Sequence, residues 1–137
     1  KCPGTFMSKF KTGKQKKRVV VFGIFDGIHE GHRDFFRQAR QYGNELIVVV
    51  GRDEICRKLK NKTPKYSEQK RCQLVSQESL VDKALLGDQE LSTYRVLGDL
   101  RPDVICFGYD QDALAKDVQA WLSNNKRTVE THHLRLL

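Results

Sequence analysis

The chain has 137 residues, 39% of them hydrophobic and 31% charged, with 10 Gly and 3 Pro, which suits one globular domain with its own core and leaves no room for a second. This composition excludes collagen-like, mucin-like and low-complexity chains, and the longest apolar runs, such as Leu46 to Val50, are far too short to cross a bilayer. The formal charge of +8 suggests nucleic-acid binding until it is located: seven of the 25 basic residues fall in the first 18 positions, where no acidic residue occurs, and the other 18 face 17 acidic ones.

Residues 1–17 therefore read as a basic, disordered tail and 18–137 as the folded domain, with neither nucleic acid nor membrane expected as a partner. Val19, Val20, Val21 and Phe22 form a β-branched run closed by Gly23, which predicts a central strand buried on both faces. Phe35, Phe36 and Ala39 recur at helical spacing in a helix from about Gly31 to Tyr42, with Gly43 and Asn44 as its stop, and Leu46 to Val50 is the next strand. Asp53 is expected to cap a short helix through Leu59, the lysine-rich stretch Lys58 to Lys65 to form a loop, and Ser67 to cap a helix through Val75. Asp82–Leu86 reads as a third strand, Thr93–Leu100 as a helix, Val104–Phe107 as a fourth strand and Ala113–Ser123 as a helix with Leu114, Val118 and Trp121 on its apolar side. Arg127–Thr131 is a fifth strand, and His132 and His133 mark an exposed strand edge. This alternation predicts an α/β protein, a Rossmann-like three-layer fold around an open, mainly parallel five-stranded sheet. Cys2, Cys56, Cys72 and Cys106 form no C-x-x-C pair, which favours small buried or half-buried thiols in a reducing cytosol over disulfides or a zinc site. A cytoplasmic protein is expected.

In open sheets of this kind ligands sit beyond the carboxyl ends of the strands, which directs attention to Phe22-Gly23-Ile24-Phe25-Asp26-Gly27-Ile28-His29-Glu30-Gly31-His32. Three glycines permit close backbone approach and positive φ, and a helix start offers unpaired N–H groups and the positive end of a dipole, so the loop is an anion cradle. His29 and His32 add donors able to hold phosphate oxygens; the competing readings are a helix cap or a metal pair, and a zinc site lacks its third and fourth ligands.

These residues resemble the cytidylyltransferase-like nucleotidyltransferases, whose mark is G-x-F-D-x-x-H-x-G-H after the first strand: Gly23, Phe25, Asp26, His29, Gly31 and His32 match every fixed position. The resemblance runs from about Arg18 to Thr131, with Val21 and Ile24 where many members have Thr. It implies transfer of a nucleoside monophosphate from ATP or CTP to a phosphomonoester, releasing pyrophosphate, with Mg²⁺ accompanying the triphosphate and no metal site built from the protein. By the same resemblance His29, His32 and Lys62 are the catalytic groups, with Lys60 the competing lysine. Phe22, Gly23, Ile24, Phe25, Asp26, Gly31, Arg71, Gly108, Tyr109 and Asp110 bind the nucleotide. Asp26 is expected to orient the loop or a partner group, Arg71 either to meet phosphate or to pair with Glu68, and Tyr109 either to stack on a base or to close a turn. The turns Gly51-Arg52-Asp53-Glu54 and Gly108-Tyr109-Asp110-Gln111 look more like archaeal-type FAD synthases, which adenylylate FMN, than like glycerol-3-phosphate cytidylyltransferases. The alternatives are such a cytidylyltransferase or a non-catalytic nucleotide-binding module. The family commonly forms homodimers, and its closing Ser/Thr-rich helix start has no match in 18–137, so that motif is expected to be missing.

Overall fold

A run of β-branched residues favours extended backbone, and apolar side chains on both of its faces can be buried only in the middle of a sheet. The computed structural model, which describes residues 17–89 and 94–135, places Val19, Val20 and Val21 in β1 (Arg18–Gly23), all fully buried. There follow α1 (Glu30–Arg40), β2 (Glu45–Val50), α2 (Asp53–Lys60), α3 (Glu68–Ser76), β3 (Lys83–Leu86), α4 (Arg95–Leu100), β4 (Val104–Phe107), α5 (Asp112–Asn124) and β5 (Glu130–His133). The strands stand in the order β3-β2-β1-β4-β5 and every pairing is parallel, Val19 lying opposite Leu46 on one side and Val104 on the other. This is the expected Rossmann-like α/β fold. Strand order reverses between β1 and β4, so the crevice for a ligand lies at their carboxyl ends.

Alternation along the strands sorts the core into two layers. Val19, Val21, Val48, Val50, Val104 and Cys106 pack with Phe36 and Ala39 of α1 and Val75 of α3. Val20, Phe22, Ile47, Val49, Ile105 and Phe107 pack with Val96, Leu97 and Leu100 of α4 and Ala115, Val118 and Leu122 of α5, Trp121 adding a half-buried edge. Among the described residues no helix is long and apolar enough to cross a membrane. Of the expected tail only Lys17 is described, its N–H donating to Asn44 Oδ1 at 2.7 Å. Residues 1–16, Cys2 among them, lie outside the described residues, as does Thr93.

Three local expectations are corrected. Gly43 is not a left-handed stop: α1 ends at Arg40 with Gln41 in right-handed conformation, and Gly43 lacks a positive φ. A Cβ there would stand 2.4 Å from Lys17 O and 2.7 Å from Val19 Cγ2, so close backbone approach demands the glycine. Asp53 does not cap α2; Arg52 occupies the cap without a side-chain bond, and Asp53 is the first helical residue with its carboxylate turned to α3. The fifth strand starts at Glu130, not Arg127, because Lys126 turns at φ 56 and Arg127 is spent on the helices, donating to Leu97 O and covering the Trp121 ring. His132 and His133 thus belong to β5 itself, the edge strand; His132 stacks on Tyr42 at 3.9 Å.

Candidate active site

Beyond the pair Val21 and Cys106 the β1–β4 ladder stops. The Gln111 amide fills the gap, Nε2 donating to Phe22 O at 3.0 Å and Oε1 accepting Gly108 N–H at 2.7 Å. The two central strands are held apart where the strand order reverses, and a cleft of about 640 Å³ opens there. Its walls are the β1–α1 loop with the start of α1, the segment Lys62–Lys65, the turn Gly108–Gln111, and Leu134 and Arg135 at the exit of β5.

In the β1–α1 loop glycine serves a different end at each position. Gly27 takes φ 105, and the second left-handed residue is Phe25 at φ 54, not a glycine. Gly23 makes room for the Phe25 ring, which would lie 2.5 Å from a Cβ there. Phe25 is buried, its ring edge-on to His32 at 5.2 Å and against Phe36 at 5.5 Å, so it supports an imidazole from below.

The two histidines are both cap and cleft wall. His29 is the N-cap of α1: its Nδ1 accepts Gly31 N–H at 3.0 Å, while His32 Nδ1 accepts His29 N–H at 3.3 Å. The rings stack at 3.9 Å and both line the cleft. A ring nitrogen that accepts a backbone N–H carries no proton, so each neutral imidazole bears its proton on Nε2. The capping bonds thus fix the tautomer that leaves Nε2–H as a donor for the cleft. Desolvation, and then the neighbouring His29, hold His32 below its ordinary value, which keeps it neutral. Gly31 is required by this arrangement, because a Cβ would meet His29 Cε1 at 2.8 Å and Nδ1 at 3.1 Å. Gly31→Ala should therefore push the His29 ring off the helix start and lower turnover by about tenfold or more, the loss of one well-placed donor. Its melting temperature should hold, since alanine suits a helix better; unchanged turnover would show that the ring need not sit there.

Asp26 joins two walls of the cleft. Its carboxylate accepts Lys65 N–H at 2.7 Å and Tyr66 N–H at 2.8 Å. Desolvation opposes ionisation there, but those two backbone donors, with the charges of Arg71 and Lys65, hold the carboxyl below its usual value. Both carboxylate oxygens are thus spent on tying the β1–α1 loop to the segment Lys62–Lys65 and Tyr66. Asp26→Asn would turn an NH₂ toward one of the two backbone donors and release Lys62–Lys65; affinity for a nucleoside triphosphate should fall about tenfold, the scale of one charge-assisted bond. Calorimetry showing unaltered affinity would remove this role.

Of the remaining expected residues, Phe22, Ile24, Lys62, Gly108, Tyr109 and Asp110 line the cleft. Tyr109 is 57% exposed, the one large hydrophobic side chain so open among the described residues. The Lys60 side chain lies outside the described residues. Arg71 is the correction: it does not line the cleft and is 0% exposed. Its guanidinium donates to Tyr66 O at 3.1 Å, Ile24 O at 2.8 Å and Gly51 O at 2.7 Å and pairs with Asp53. Nor does it pair with Glu68, which joins Arg52 at 3.2 Å and accepts Asp53 N–H at 2.9 Å. Arg71 is a strut under the ends of β1 and β2, with four of its five N–H donors spent inside the protein and its side chain closed off from the cleft. Sequence reasoning missed Lys65, Gln111 and Arg135. Arg135 could have been found from its place just past a strand end, the edge where parallel sheets gather their ligand groups.

Residues 20–136 match the family described as cytidylyltransferase-like. The chain is 40% identical over 119 residues to the FAD synthase of Aciduliprofundum boonei, covering 87% of this chain and 77% of that protein. It is 36% identical over 123 residues to the FAD synthase of Pyrococcus horikoshii, covering 90% and 83%. A solved lipopolysaccharide core biosynthesis protein from Thermoplasma volcanium superposes with a TM-score of 0.83 at 31% identity, over 90% of this chain and 99% of that one. Pantothenate synthetase from Thermus thermophilus, at 13% identity and a TM-score of 0.60 over 88% of this chain and 56% of that one, shares the fold alone.

Proposed function

The chain belongs to the cytidylyltransferase-like family, and from that membership and the cleft we propose that it transfers the adenylyl group of ATP to FMN, forming FAD and releasing pyrophosphate. An oxygen of the FMN phosphate attacks the α-phosphorus of ATP in line; the new P–O bond forms as the bond from that phosphorus to the bridging oxygen breaks, and pyrophosphate takes the electron pair. A phosphate monoester is already ionised at neutral pH, so no general base is needed. The protein supplies position and charge.

The observation that carries this reading is the pair of stacked imidazoles whose Nδ1 atoms are tied to the start of α1, leaving two Nε2–H donors beside a helix N-terminus. They hold the triphosphate and meet the charge that grows on the leaving group. Lys62 and Arg135 add cations from opposite walls, neither side chain having a partner among the described residues. Tyr109 offers its ring to a planar ring of a substrate. Among the described residues no three His, Cys, Asp or Glu side chains gather to hold a metal, and both oxygens of Asp26 are occupied. This donor set fits Mg²⁺ held by phosphate oxygens and water with Asp110 as a carboxylate ligand, where it would screen the triphosphate charge. Cys56, Cys72 and Cys106 are free thiols, two of them buried, which supports a cytoplasmic setting.

The relatives named FAD synthase favour FMN and ATP over the other substrate pairs. Pyrophosphate release measured for ATP and CTP, each against FMN and glycerol 3-phosphate, tests this directly. Turnover is expected with ATP and FMN; turnover confined to CTP would reassign the base, and none in any combination would leave a binding module.

A further inference from the structure

The end of β5 delivers Arg135 to the cleft, yet little of the sheet holds it there. The last backbone bond of that segment is Leu134 N–H to Phe107 O at 2.7 Å. Arg135 is instead gripped from α1 by one side chain 97 positions away in sequence. Gln38 Nε2 donates to Arg135 O at 2.8 Å, and Gln38 Oε1 accepts Arg135 N–H at 3.0 Å. Both polar atoms of one amide thus engage both backbone groups of one residue, as a neighbouring strand would. The amide cannot flip without loss, because Asp34 Oδ2 also accepts from Nε2 at 2.9 Å. Leu134, buried beside it, fixes the approach from the other side. Arg135, which this clamp holds, lines the cleft, and its guanidinium has no partner among the described residues.

We propose that Gln38, which lines no part of the cleft, is a positioning residue that holds Arg135 at its rim and so sets the grip of the protein on the triphosphate. This rests on the reading of Arg135 as a phosphate-binding cation given above. A flexible arginine that must be ordered on binding loses affinity to the ordering; the clamp meets that cost during folding. Because Gln38 acts only through Arg135, its removal and that of the arginine should not add.

A double-mutant cycle on the full chain tests this, read by calorimetry with ATP and by steady-state kinetics. Gln38→Leu is expected to weaken ATP about tenfold, 1.4 kcal/mol by the usual conversion. KM for FMN and kcat should move by less than about twofold. Arg135→Ala should weaken ATP at least as much, and the double variant no more than Arg135→Ala alone. Unchanged ATP affinity in Gln38→Leu, or two losses that multiply in the double variant, would overturn the proposal. Should Gln38→Leu fold poorly, Gln38→Glu keeps the acceptor for Arg135 N–H and loses the donor, and it must still weaken ATP several-fold. ATP binding is read apart from turnover, so a chain that binds ATP without adenylylating FMN would sink the proposed activity and leave the clamp to stand or fall by the cycle.

Discussion

His32→Ala should lower kcat with ATP and FMN at least about a hundredfold while leaving KM for FMN nearly unchanged, the pattern of a donor that acts mainly as charge develops. The substitution removes the Nε2–H donor and one half of the cap, since His32 Nδ1 accepts the N–H of His29. It also frees the His29 ring from its stacking partner at 3.9 Å and takes the edge contact from Phe25. The cap bond is worth about 1 kcal/mol, so the fold should survive and the loss of rate should not be a loss of protein. Near-normal kcat would remove His32 from the chemistry. The same ring sets the acid limb. The folded state holds His32 below the reference value of 6.5, so its neutral form is favoured by folding. That contribution to stability is full above 6.5 and is lost as pH falls through the lower folded value. The acid limb of kcat/KM should likewise lie below the ordinary imidazole value, because burial and the neighbouring His29 disfavour the charged ring.

Arg71→Met should cost about 3 kcal/mol of folding stability, the scale for removing one partner of a buried ion pair, and lower the melting temperature by about 10 °C. Three carbonyls, of Ile24, Gly51 and Tyr66, would lose their donor together, and Asp53 would keep its charge without its partner. Those carbonyls stand at the ends of β1 and β2 and at the exit of the lysine loop, so nucleotide affinity should fall with stability. Lysine should not rescue, since its ammonium cannot reproduce a planar fork that reaches four acceptors. Urea denaturation is the check. Loss of nucleotide binding with stability intact would return Arg71 to the role of a direct phosphate ligand.

The contrast between these two residues shows what the sequence could carry. The place of His29 and His32 at the mouth of the cleft was legible because a strand, a glycine-rich loop and a helix start are local in sequence and fall within ten residues. The strands were legible for the same reason: the buried run at Val19 to Val21 and the one at Leu46 to Val50 each report two covered faces, and Val104–Phe107 is matched residue for residue. Arg71 was misread because an arginine near a phosphate loop looks alike whether it faces solvent or core; only the packing of α3 beneath β1 and β2 buries it. Gly43 was misread in the same way, its reason being the Lys17 carbonyl brought beside it by the β1–β2 pairing. Gln111 and Arg135 work through partners 89 and 97 positions distant, Phe22 and Gln38, and no periodicity announces such contacts.

The central claim, that two imidazoles fixed by their own capping bonds receive the triphosphate, is open to a single observation, because the chain has 4 histidines and only two of them line the cleft. Nitrogen NMR of the histidine-labelled full chain, titrated with ATP, should show His29 and His32 as neutral Nε2–H tautomers whose Nε2 resonances both move on binding, while His132 and His133 stay in place. ATP bound with neither Nε2 moving, or the Nδ1–H tautomer at either position in the free protein, would contradict it.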